Sequence, residues 1–257
     1  MEPSINILNF DNVYLSQTFH RGVKAAWIDL TDLRNVSRLC ELATLKTIEI
    51  RLRKAHHLVS FVGNGNYHYV TLLFLRRLQV PFTLVLFDHH TDMIISPSES
   101  LISCGSWVTR AIRTLPLLKK VILVGTADEL VKEIPPFFRN KVTVFTQDQA
   151  RRLPWLKHSI GASIPTKAIY VSVDKDVLSQ REVVTNWDQG QMTLTQLLEI
   201  LYYLGSVKNV LGIDVCGEYT TDPLITLSPA ALQSADKNSR VNKALLHTAE
   251  KIASQAS

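Results

Sequence analysis

Short apolar runs rich in β-branched residues alternate along this chain with longer stretches of helical periodicity, and that alternation leaves few folds open. The runs fall at residues 5–9, 58–62, 83–87, 121–124, 142–145, 168–173 and 210–215. Apolar residues recur at three- and four-residue steps in residues 69–78 and 195–204. Residues 240–253 form an amphipathic helix with Val241, Ala244, Leu245, Thr248 and Ile252 along one stripe. Strands joined through helices need crossovers, which lay helices on the sheet faces. Strands apolar on both faces suit a sheet covered on both sides. The expected fold is three-layer α/β/α around a mainly parallel sheet. With no repeat, low-complexity tract or long linker, residues 1–257 read as a single domain.

Composition closes off other classes. Hydrophobic residues make up 46% and charged residues 20%, the balance of an ordinary globular chain. The net charge is only +5, and its basic clusters (Arg51-Leu52-Arg53-Lys54, Arg76-Arg77, Lys119-Lys120, Arg151-Arg152) lack the interleaved aromatics of a single-strand binder. They read as solvated faces, so no nucleic-acid partner is expected. No apolar run approaches the ~18 residues of a membrane span. Cys40, Cys104 and Cys216 form no CxxC pair, and the opening residues MEPSINILNFDN show no signal-peptide pattern. Both point to a reducing, cytoplasmic setting.

In open α/β sheets, ligands bind beyond the carboxyl ends of the strands, and three strand ends here are unusually polar. Val62-Gly63-Asn64-Gly65-Asn66-Tyr67-His68 is a turn that delivers a histidine to a helix start; it lacks the Lys and Ser/Thr of a phosphate loop. Residues 85–93 read VLFDHHTDM. If the segment stays extended, Asp88, His90 and Asp92 project to one side and His89 to the other. Residues 170–177 read YVSVDKDV, with Asp174 and Asp176 on one side and Lys175 opposite. Four carboxylates and two imidazoles thus gather at one sheet edge, where they would repel and desolvate badly without a cation. Oxygen-rich donors with some imidazole suit Mn²⁺, and less often Fe, Co, Ni or Zn. Six ligands exceed one tetrahedral ion, and four negative charges balance two divalent ions, so a pair about 3.5–4 Å apart is the economical reading.

GNYH, DHHTD and SVDKD resemble, in order and spacing, the GGDH, DAHTD and SxDxD signatures of the ureohydrolases: arginase, agmatinase, formimidoylglutamase and their relatives. The similarity runs from Val62 to Glu218, with Gly190-Gln191-Met192-Thr193 resembling the Gly-Gly-Leu-Thr that follows the DxD. The resemblance implies an arginase-like α/β/α domain with two Mn²⁺ per chain. His68, Asp88, Asp92 and Asp174 would bind one ion and Asp88, His90, Asp174 and Asp176 the other, with Asp88 and Asp174 bridging. A bridging hydroxide would attack the carbon of a small amidine or guanidine, and Asp92 would relay a proton to the departing amine. Family likeness further implies a homo-oligomer, a trimer or hexamer.

The chain departs from the family pattern around the substrate. Cys104 stands where the family carries a histidine thought to shuttle protons or place substrate. Residues 210–218 resemble the strand ending in DVVE, but Glu218 lies one residue late, a slip that turns a regular strand's side chain to the opposite face. Absorbed as a bulge at Gly217, it leaves Glu218 as the expected substrate-binding carboxylate. Ile94 replaces an asparagine of arginases, Gly125-Thr126-Ala127-Asp128 lacks the arginase GxRD form, and the SxDxDxxDP pattern breaks after Asp176. Free arginine is therefore not the expected substrate. Two other readings stay open: a mononuclear zinc amidohydrolase of the histone-deacetylase-like type using Asp88, His90 and Asp176, and a metal-binding relative without turnover.

Overall fold

The computed structural model describes residues 5–55, 57–151, 153–220 and 228–255; the first four residues and Arg152, read above from sequence, lie outside them. In chain order the elements are β1 (Ile5–Asn9), β2 (Ala25–Asp29), β3 (Leu39–Glu41), α1 (Leu42–Arg51), β4 (Val59–Phe61), α2 (Thr71–Leu75), β5 (Phe82–Phe87) and β6 (Leu101–Ser103). There follow α3 (Trp107–Thr114), β7 (Leu118–Thr126), β8 (Val142–Thr146), α4 (Gln147–Ala150), α5 (Leu153–Ser163), β9 (Ala168–Asp174), α6 (Leu194–Val207), β10 (Asn209–Cys216) and α7 (Pro229–Gln255). Eight strands form one sheet in the order β2-β1-β4-β10-β9-β5-β7-β8, every neighbouring pair parallel. β3 and β6 pair antiparallel outside it.

Alternation along β5 explains the three layers. Leu84 and Leu86 join the apolar cluster that holds Leu45 of α1, Leu72 of α2 and Val108 of α3. Val85 and Phe87 join the opposite cluster, with Ile160 of α5, Leu197 of α6 and Leu245 of α7. A strand buried on both faces between helical layers is what a continuous apolar run requires. Among the described residues no helix is long and apolar enough to cross a membrane.

All seven expected strands are in the large sheet, while β3, β6 and three further elements differ from the sequence reading. β2 was not anticipated; it is an edge strand with Trp27 41% exposed, so it lacks the doubly apolar pattern of its neighbours. The helix expected at residues 69–78 is a 3-10 segment, Gly65–Val70, followed by the short α2. Tyr67 to Leu75 are buried all round, so apolar periodicity there marked burial rather than helix length. The C-terminal helix extends well beyond residues 240–253 in its N-terminal direction.

Candidate metal centre

The four central strands β4, β10, β9 and β5 lie side by side, and their carboxyl ends open on one place. After β4, Asn64 accepts a hydrogen bond from the Asn66 amide and starts the tight 3-10 turn that carries His68 inward. After β5, the chain does not stay extended as expected. Asp88 Oδ1 accepts the His90 amide at 2.6 Å, the His89 amide donates to Asp176 Oδ1 at 3.0 Å, and Asp92 adopts a left-handed φ of 50°. Asp88, His90 and Asp92 still converge, through a side-chain-locked turn instead of strand alternation. His89 is turned elsewhere, with Nε2 3.8 Å from Asp188 Oδ2. After β9, Asp174 Oδ1 accepts the Asp176 amide at 3.0 Å, fixing both carboxylates on one turn.

The six groups form two linked clusters. His68 Nδ1 lies 3.4 Å from Asp88 Oδ2, 3.0 Å from Asp92 Oδ2 and 3.6 Å from Asp174 Oδ2. His90 Nδ1 lies 3.5 Å from Asp88 Oδ1 and 2.9 Å from Asp176 Oδ2. The two oxygens of Asp88 therefore serve different clusters. Asp92 Oδ2 also accepts the Trp107 indole N–H at 2.6 Å, which holds the carboxylate against the floor of the cavity.

The electrostatics fit a cation. All four carboxylates are buried. Burial and the neighbouring Asp88 push the Asp92 carboxyl up to about 6, and burial with Asp174 and Asp88 pushes Asp176 well above the usual range. Burial alone would raise Asp88 too, but His68 and His90 on its two oxygens bring it below that range. Burial opposes charge on the His90 ring, yet Asp176 and Asp88 hold it far above an ordinary histidine. Raised acids beside raised imidazoles describe one condition: a buried excess of negative charge that takes up positive charge. These oxygen and nitrogen donors match the hard-to-borderline set expected for Mn²⁺.

A cavity of about 340 Å³ opens over the clusters, walled by Arg38, Trp187, Ile94, Cys104 and Glu133. Cys104 lines the cavity, and burial together with Asp92 pushes its thiol up to about 12, so it is neutral and no base. Glu218 is placed otherwise. It is 1% exposed and absent from the cavity wall, and its buried carboxylate accepts from Lys175 Nζ, from Gln17 at 2.7 Å, and from Asn238 and Asn242 at 3.0 and 2.7 Å. The one-residue slip turns Glu218 away from the substrate side, and the φ of 85° at Gly217 does not restore it. A Cβ at Gly217 would fall 2.4 Å from Asp174 Oδ1. Gly217→Ala is therefore expected to displace Asp174 and weaken metal binding about 10–100-fold, the range for disturbing a ligand's supports, as read by metal titration.

Sequence reasoning missed three participants. Cys216 ends β10 and donates to Asp174 Oδ2 at 3.1 Å; its place at the same sheet edge was the available signal. Trp187 packs edge-on to His90, centroids 5.7 Å apart, and carries Arg38 over its face at 4.9 Å. Neither lies in a motif, and only the fold brings them in.

Known proteins share this fold. The family model described as Arginase family matches residues 8–220. An uncharacterized protein of Thermotoga maritima is 30% identical over 223 residues, covering 86% of this chain and 82% of its own length. A hypothetical agmatinase from Burkholderia thailandensis has a TM-score of 0.69 at 15% identity, covering 100% of this chain and 88% of that one. Formimidoylglutamase from Bacillus subtilis has a TM-score of 0.67 at 15% identity, covering 97% and 87%. The solved structures share the fold, and the family model spans β5, β9 and β10 together with every residue of the two clusters; the chain belongs to the arginase family.

Proposed function

We propose that this protein is a dinuclear, manganese-dependent hydrolase that cleaves a C–N bond in a linear amidine or guanidine. The observation that carries the reading is Asp88, whose Oδ2 faces His68 while its Oδ1 faces His90, as a carboxylate shared by two ions must. His68, Asp88, Asp92 and Asp174 would hold one ion, and Asp88, His90, Asp174 and Asp176 the other. When bound, such a pair neutralises the carboxylates and lowers the pKa of a water enough to supply hydroxide at neutral pH. Asp92 lines the cavity and would hand a proton to the departing amine, with its Oδ2 held by the Trp107 indole N–H. With Glu218 withdrawn, Glu133 is the carboxylate of the described cavity wall that lies outside the metal clusters, so a cationic substrate head meets Glu133. Cys104, a neutral thiol, contributes shape and contact to the substrate space.

A metal-binding protein without turnover is the second reading, favoured by the burial of Glu218 against Lys175. One experiment separates the two. Metal analysis is coupled to urea and ammonia release over arginine, agmatine, guanidinobutyrate, hydroxyarginine and formimidoylglutamate. Two ions per chain and release from at least one compound are expected. Two ions with no release from any compound supports the second reading, and one tightly held ion in a fully active protein rejects the dinuclear centre.

A further inference from the structure

β10 runs beside β9 with Cys216 in register with Asp174, so the last residue of one strand sits against a metal-site carboxylate of the other. The thiol is fully buried, and its acceptor Asp174 Oδ2 also lies 3.6 Å from His68 Nδ1. One donor atom from each of His68, Asp174 and Cys216 falls within 4.8 Å of the other two, the span of a single ion's ligand sphere. The group of Asp88, His90 and Asp176 holds only nitrogen and oxygen donors. Sulfur favours thiophilic ions and carboxylate favours manganese, so the two ends of the centre differ in the ion they prefer.

We propose that Cys216 is a ligand of the ion held by His68 and Asp174, making the centre heterodinuclear, with zinc at the Cys216 end and manganese at the Asp88–His90–Asp176 end. The inference rests on the dinuclear reading above. The placement is rigid: Cys216 is on a strand, and Gly217 beyond it is packed directly on Asp174. Ligation would replace the S–H bond with a sulfur–metal bond and release the proton to solvent, with no electron transferred. Cys104 belongs to neither of these donor groups and serves as the control thiol.

Metal-stripped protein loaded with cobalt(II) tests this independently of activity. A thiolate-to-cobalt charge-transfer band in the near ultraviolet is expected in the wild type and in Cys104→Ser, and absent in Cys216→Ser. Given one equivalent of zinc per chain and excess manganese, the wild type is expected to retain one of each, while Cys216→Ser loses at least about 10-fold in zinc affinity, the least that disturbing a ligand shell costs. Two bound cobalt ions without the band overturn the Cys216 assignment and leave the dinuclear reading standing. A wild type that binds no metal overturns both. The wild-type spectrum decides the point even where Cys216→Ser fails to fold.

Discussion

Asp88→Ala is expected to abolish binding at both ends of the centre, whereas His90→Ala abolishes it at one. The difference follows from the two Asp88 oxygens, one 3.4 Å from His68 and the other 3.5 Å from His90, while His90 approaches only Asp88 and Asp176 among the cluster groups. Counting metal per chain after dialysis should give two for the wild type, one for His90→Ala and none for Asp88→Ala, with hydrolysis at background in Asp88→Ala. Stability reports the same loss. An ion at about 1,000 times its Kd adds about 4 kcal/mol to the folded state. For a chain of this size that corresponds to a Tm higher by about 10 °C. Metal should raise the melting temperature of the wild type by such an amount and leave Asp88→Ala unmoved. Retention of one tight ion by Asp88→Ala would show the two ends to be independent and remove the main support for a shared carboxylate.

The sheet and the carboxylates and imidazoles gathered at its edge were legible because each carried a local signal. A strand buried on both faces must be apolar throughout, so β5 and β9 announced themselves, and the polar sets that follow them are out of place in any turn. The edge strand β2 was not legible, since its half-exposed residues mix apolar and polar without a period. Backbone detail was lost too: the Asp88–Asp92 turn is held by side-chain acceptors on Asp88 and Asp176, which no pattern of residue types encodes. The substrate side was the least legible. A one-residue slip at Glu218 left two faces open, and the choice was made by partners twenty or more residues away, Gln17, Asn238 and Asn242. Lys175 reads as lying opposite the two carboxylates of the DxD, and no pattern of residue types shows that it is fully buried.

That buried lysine carries the second large effect. Lys175→Met alone is expected to destabilise the protein by about 3–5 kcal/mol, because it leaves the Glu218 carboxylate sealed from water with only amide donors around it. At this chain length the loss lowers Tm by roughly 6–20 °C. Burial pulls the Lys175 ammonium below its usual range, and Glu218 is the group that holds it up, so each charge is tolerated through the other. Lys175→Met with Glu218→Gln should therefore recover most of the single variant's loss, since a neutral amide leaves no unanswered charge and its oxygen can still accept from Gln17 and Asn238. The pair also joins the Asp174–Asp176 turn to α7, through Lys175 Nζ on Asn242 Oδ1 at 3.0 Å. Metal affinity in the single variant should accordingly fall about 10–100-fold, as expected when a ligand loses its support. Denaturant unfolding of the two variants beside metal titration measures both effects. A double variant no more stable than Lys175→Met would mean that the lysine acts by packing its stem, and that the carboxylate behind the metal site does not need its charge answered.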